Sequence, residues 1–210
     1  MRKKIVDAYV RHILSKGAPP VSIFHFMYEM GESEAEFYTH FASFHAVESS
    51  IWEEFIQDTL GKVKNEEVYA DYMVREKVLS FYYTLLEELK QQRSFVVYSF
   101  RKRPRNGKWS SASCMKSFKE HFQEFIKEVL FEGEQSGELA ERPFIQDRYK
   151  DLFWLQLLFI LDYWTKDHSE QFESTDTLVE KAVNLAFDLM GTNILDASVD
   201  FVKFMIQHRP

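Results

Sequence analysis

Three helix breaks fall within the first 33 residues, and they leave little freedom in how this end of the chain can fold. Gly17 stops a first helix that carries Ile5, Ala8, Tyr9, His12 and Ile13 on one face. Pro19 and Pro20 break the chain, and Ser22 stands where it can cap a second helix running through Met30. Gly31 supplies a turn. Ser33 then caps a short third helix, with Glu36 three residues on in capping-box position. Phe37, Tyr38 and Phe41 belong to that third segment. Breaks so closely spaced admit only short helices joined by tight turns, and residues 21–47 take the spacing of a helix-turn-helix.

The rest of the chain is also helical in pattern. Val47, Ile51, Phe55 and Ile56 mark a fourth helix, and Val78, Leu79, Phe81, Tyr82, Leu85, Leu86 and Leu89 a longer one. Phe118, Phe122, Phe125, Ile126 and Val129 mark another, ended near Gly133–Gly137. Pro143 opens the next, which is apolar nearly all round from Phe153 to Trp164 and so predicts burial on every side. A final segment, Ser174 to about Ile206, has a broad apolar stripe. The nearest candidate for a strand is Phe95–Phe100, short and set between helical segments. The expected fold is all-α: a three-helix unit over residues 1–48, then a larger helical bundle over 49–210. A chain of 210 residues can bury a sizeable core, and 20 phenylalanines require a large core or an apolar cavity.

Several classes of protein are disfavoured. The first 17 residues lack an uninterrupted apolar run, because Asp7, Arg11 and His12 intervene, so no signal peptide is read there. Leu152–Leu161, broken by Gln156, falls short of the roughly 20 apolar residues of a membrane span. Cys114, the one cysteine, excludes an internal disulfide and suits a reducing cytoplasm. No Glu-x-x-His pair, His-Glu-x-x-His helix, phosphate loop or nucleophile elbow is present, so neither an enzyme nor a cofactor is expected. Lys116 and Lys119 near Cys114 fit an activated thiol less well than a buried, inert one. His25 and Glu29, and Glu36 and His40, are one helical turn apart; surface pairs explain them better than a metal.

Charge runs against the helix-turn-helix pattern. Residues 21–60 contain no lysine or arginine, while Glu29, Glu32, Glu34, Glu36, Glu48, Glu53, Glu54 and Asp58 all lie there. The whole chain is formally −7, and residues 1–60 are about −4. DNA binding draws most of its affinity from phosphate contacts and counterion release. The available cations are an Arg2-Lys3-Lys4 arm, Arg11 and Lys16. The densest basic cluster, Arg101, Lys102, Arg103, Arg105 and Lys108, lies far along the chain and reads most simply as a solvated loop.

The N-terminal residues resemble the TetR family of one-component bacterial regulators. The match rests on Gly17, Ser22, Gly31 and Ser33, on Phe37-Tyr38-Thr39-His40-Phe41, which is similar to the aromatic signature of the family's recognition helix, and on Ser43. The resemblance implies a homodimer binding double-stranded DNA, its two recognition helices in successive major grooves about 34 Å apart. It implies DNA contacts from Ser22, Ser33, Glu34, Tyr38, Thr39 and His40. An apolar ligand in the body would shift the helices of a ligand-responsive repressor. Tyr82, Tyr83, Leu86, Phe118, Phe122 and Phe125 are then either plain core or ligand-binding lining. By position in the family, Trp154, Leu158, Leu161, Val183 and Phe187 would form the dimer interface. The chain departs from the family at Glu32, Glu34 and Ala35, and at Phe44, where a lysine near DNA is usual. Asp167-x-Ser169-x-x-Phe172-x-x-Thr175 is similar to an element of some TetR-type bodies and of a TetR-fold lipid-binding protein of ubiquinone biosynthesis. Asp167 and Ser169 are expected to stop one helix there, and Ser174 or Thr175 to cap the next. The alternative to a regulator is therefore a TetR-fold protein that binds a lipid, an isoprenoid or another protein and no longer reads DNA.

Overall fold

The computed structural model describes residues 1–101, 113–139 and 146–190. Most of the basic stretch 101–108, the opening at Pro143 and the extension of the last helix toward Ile206 lie outside the described residues. Among the described residues there are nine α-helices and no strand: α1 (Arg2–Lys16), α2 (Ile23–Glu29), α3 (Glu34–Tyr38), α4 (Phe44–Lys64), α5 (Val74–Gln91), α6 (Arg93–Arg101), α7 (Lys116–Ser136), α8 (Gln146–Trp164) and α9 (Glu173–Met190). The segment Phe95–Phe100, nearest to a strand in pattern, lies within α6. Phe95, Val96, Ser99 and Phe100 are buried together, a spacing that fits one face of a helix.

Packing divides the chain into two units, residues 1–59 with 85–121, and 60–84 with 122 onward. In the first unit the early breaks behave as their chemistry dictates. Gly17 ends α1 with φ 69°, a left-handed conformation that glycine adopts without a Cβ penalty. Ser22 Oγ accepts the His25 amide at 3.1 Å and Ser33 Oγ the Glu36 amide at 3.2 Å, capping α2 and α3. Ser43 Oγ accepts the Ala46 amide at 3.2 Å in the first turn of α4. The aromatic rings of the short helices interlock: Phe26 meets Phe37 edge-on at 6.5 Å and Phe44 at 5.3 Å, and Tyr9 stacks on Phe44 at 5.3 Å. Phe44, which stands where the resemblance led us to expect a cation, therefore completes the core of this unit. Tyr9 donates to Glu48 at 2.6 Å in the interior. Burial first, and then the Glu48 carboxylate, push the Tyr9 phenol far above its ordinary range. Deeper in the unit, Trp52 donates to Ser99 Oγ at 3.0 Å and meets Phe118 edge-on.

The second unit is built on rings and a few anchored polar groups. Phe81 lies 4.9 Å from Phe125 and 5.3 Å from Phe122, and Phe122 contacts Trp154. Tyr82, wholly buried, donates to Gln156 Oε1 at 3.0 Å, and Gln156 Nε2 donates to the Ala182 carbonyl at 2.8 Å. The one polar interruption in the apolar run of α8 thus ties α5, α8 and α9 together. Lys77, also buried, pairs with Glu132 at 2.5 Å and sits over the Tyr69 ring. Gly133 leaves no room for a Cβ, which would fall 2.8 Å from Leu139 and 3.2 Å from Val74.

The start of α9 differs from expectation. Asp167 Oδ1 accepts the amide and hydroxyl of Ser169 at 2.8 and 2.7 Å, while Oδ2 accepts the amide and hydroxyl of Thr175 at 2.9 and 2.6 Å. Ser169 Oγ accepts the Ser174 amide at 3.1 Å. Asp167 and Ser169 are therefore the caps of α9 itself, and Ser174 and Thr175 donate from its first turn. Gln171 and Phe172 take left-handed conformations, φ 49° and 67°, to close this loop. Desolvation raises the Asp167 carboxyl, but the hydrogen bonds from Thr175 and Ser169 outweigh it and hold the pKa at about 2.

Candidate nucleic-acid interface

The segment that resembles a recognition helix is brief. α3 spans five residues, and only Phe37 among them is buried. Phe41, expected on the same helix, follows its end and is buried on its own account. Of the residues the resemblance assigns to DNA, Ser22 and Ser33 are exposed but already serve as caps. Tyr38, Thr39 and His40 are exposed, and Glu34 is half-buried. The structure brings Ser33, Glu34, Tyr38, Thr39 and His40 together on one short element, with Ser22 at the start of the preceding helix.

Each polar tip among them has a local partner. The Tyr38 hydroxyl donates to Glu34 at 3.4 Å, the Thr39 hydroxyl to the Glu36 carbonyl at 2.7 Å, and His40 Nε2 lies 3.3 Å from Glu36 Oε1. The expected return bond of a capping box is replaced, since the Glu36 carboxylate turns to His40. Reading a base would require Tyr38 and His40 to leave carboxylates of their own helix and Thr39 to leave a backbone carbonyl. The cations are on α1, where Arg2 sits 5.0 Å above the Phe41 ring. Phe41 therefore places the arm beside the segment that follows α3, a contact that spacing in the sequence did not disclose. Lys3 and Arg11 join Arg2 along an open groove with a volume of about 1220 Å³, whose other wall carries Glu53 and Glu54.

The six residues considered for ligand binding do not act alike. Tyr82, Phe122 and Phe125 lie in the core of the second unit, closed up by Phe81, whereas Leu86 and Phe118 are buried in the first unit, and Tyr83 is exposed. Burial alone pushes the Tyr82 phenol far above its usual range. The five residues considered for the dimer interface, Trp154, Leu158, Leu161, Val183 and Phe187, are all buried within this chain. The apolar side chains that α8 and α9 leave exposed are Leu152, Leu155, Phe159 and Tyr163, and Leu185 and Leu189. α8 is thus not covered on every side by its own chain. Leu152, Leu185 and Leu189 edge a groove of about 290 Å³ floored by Phe153 and Ala182. Among the described residues, no helix is long and apolar enough to cross a membrane, no three histidine, cysteine or acidic groups gather to hold a metal, and Cys114 is buried.

No curated protein matches the sequence. Residues 77–205, more than half of the chain, match the family described as Tetracyclin repressor-like, C-terminal domain. Among solved structures, the fold is similar to a protein from Syntrophomonas wolfei described as a TetR-family transcriptional regulator, with TM-score 0.66 and 17% identity over 90% of this chain and 94% of that one. A TetR family transcription regulator from Shewanella sp. PV-4 matches with TM-score 0.61 and 16% identity, over 91% of this chain and 98% of that one. The superantigen PfiT also matches, with TM-score 0.51 and 18% identity, over 91% of this chain and 96% of that one. At such identities the likenesses speak to the fold, which is therefore not tied to one printed role. With the family match across most of its body and a capped helix-turn-helix at its start, the chain belongs to the TetR family.

Proposed function

We propose that this protein is a DNA-binding transcriptional regulator that acts in the cytoplasm as a homodimer and releases its operator when an apolar ligand enters its body. The observation that carries this is the serine-capped bihelical unit, α2 and α3, which leaves Tyr38, Thr39 and His40 facing solvent. Residues 1–48 would be the DNA-binding part and 49–210 the ligand-binding and dimerisation part. The exposed rows of α8 and α9 supply the apolar surface that an isologous pairing needs. A ligand near Tyr82, Phe122 and Phe125 would have to displace rings now packed on Phe81. With no lysine or arginine in residues 21–60, phosphate contacts would come from Arg2, Lys3 and Lys4 and from backbone amides, which predicts a shallow dependence of affinity on salt.

The test is selection of bound fragments from the source genome by the purified protein, with affinity followed against salt. Enriched fragments whose specificity disappears on a double Thr39→Ala, His40→Ala exchange are the expected result. Enrichment with specificity unchanged in that variant would remove the recognition assignment. No enrichment at low salt would favour the second function, a TetR-fold carrier of a lipid or protein partner. The observation on that side is the pairing of Tyr38 and His40 with Glu34 and Glu36.

A further inference from the structure

α2 has two sides of opposite use. Phe26 and Met27 are buried and hold the helix to its unit. On the outer side Phe24 and Tyr28 are 62% and 74% exposed and, four residues apart, form one row; Val21, just before the helix, is 98% exposed. Phe24 and Tyr28 are stacked, their centroids 6.3 Å apart and their planes 15° from parallel. Scattered apolar residues on a surface are ordinary, but a contiguous row of large ones marks a contact surface.

The charge around the row selects what can cover it. Glu29, paired with His25 at 3.5 Å, lies beside Tyr28, and Glu32, Glu34 and Glu36 follow. No lysine or arginine stands between residues 21 and 60. On this outer face of α2 a phosphate backbone or an anionic membrane finds no cation to pair with, and a second copy of the same face would set glutamate against glutamate. A cationic occupant is attracted, and the parallel rings favour one planar cation. A guanidinium stacks on an aromatic face and grips a carboxylate through two parallel hydrogen bonds, whereas an ammonium does neither as well.

We propose that the outer face of α2, with Phe24 and Tyr28 at its centre and Glu29 and Glu32 at its edge, is a docking surface for an arginine-rich segment of a protein partner. This goes beyond DNA reading, which was assigned to the tip of α3 and to Ser22. Docking here would bring a basic chain against the same small unit and so compete with an operator.

The experiment titrates the full-length protein with a fluorescent oligo-arginine peptide and with an oligo-lysine peptide of equal length. The wild type is compared with a double Phe24→Ala, Tyr28→Ala variant. Both substituted side chains are exposed, and circular dichroism checks that the variant folds. The expected result is binding of oligo-arginine that weakens about tenfold in the variant, with oligo-lysine bound more weakly throughout. No binding, or equal binding of both peptides regardless of the substitutions, would overturn the proposal. So would a duplex DNA fragment, rather than the peptide, being the ligand that the variant loses. The Thr39→Ala, His40→Ala variant should bind the peptide like wild type even if it no longer selects DNA, which separates failure of this surface from failure of the recognition helix.

Discussion

The starts of α3 and α9 solve the same problem, the orphan amides of a helix N-terminus, with very different investment. α3 relies on Ser33, an exposed hydroxyl accepting one amide three residues away. α9 relies on Asp167, a buried carboxylate that accepts four bonds from Ser169 and Thr175, backed by Ser169 holding the amide of Ser174. The first is local, shallow and open to water. The second closes a loop in the interior, where an unmet polar group is expensive. A short surface helix is held by one local bond, whereas a helix that frames a core is tied from several sides.

The largest effect should come from removing the buried anchor. Asp167→Ala leaves the amides and hydroxyls of Thr175 and Ser169 without this acceptor, and should cost about 3 kcal/mol, read as a lower urea midpoint. A loss under about 1 kcal/mol would equate the two helix starts. Acid should reproduce part of this. The Asp167 carboxyl titrates at about 2 in the folded protein against 3.8 for a free aspartate, so its contribution is complete above pH ~4 and disappears as the pH falls through ~2. That contribution is about 2 kcal/mol. In Asp167→Asn this part of the acid profile should flatten, and an unaltered profile would assign the acid sensitivity to other carboxylates. The smallest effect belongs to Ser33→Ala, about 1 kcal/mol felt within α3. It should appear as faster exchange of the Glu36 amide with almost no change in global unfolding. A global loss as large as that of Asp167→Ala would mean that α3 is part of the scaffold.

The contrast also explains what the sequence disclosed. Gly17, Ser22, Gly31 and Ser33 act within a few residues of themselves, so their positions name the turns directly. The Asp167–Thr175 element was visible as a pattern, but which residue donates and which accepts depends on a loop closed by left-handed Gln171 and Phe172. α8 gave no such guidance. A helix apolar nearly all round carries two stripes of equal appearance, and periodicity does not say which one its own chain will cover. Trp154, Leu158 and Leu161 face inward, while Leu155 and Phe159 face out. The rings of Phe122 and Phe125 read as either core or ligand lining, because the sequence does not show that Phe81, from α5, packs against them. Phe44 read as a missing cation, and only its contacts with Tyr9 and Phe26 give it a purpose.

The acidic surface has one more consequence. Phe26, Phe37, Phe41 and the two serine caps hold the helix-turn-helix together, and the exposed Glu29 and Glu54 lie outside that framework. Exchanging both for lysine would bring residues 1–60 from about −4 to neutrality without touching a core contact. The sign of this surface is therefore mutationally cheap to reverse: lineages carrying this scaffold could gain or abandon a nucleic-acid partner in a few steps, and a designer could do the same.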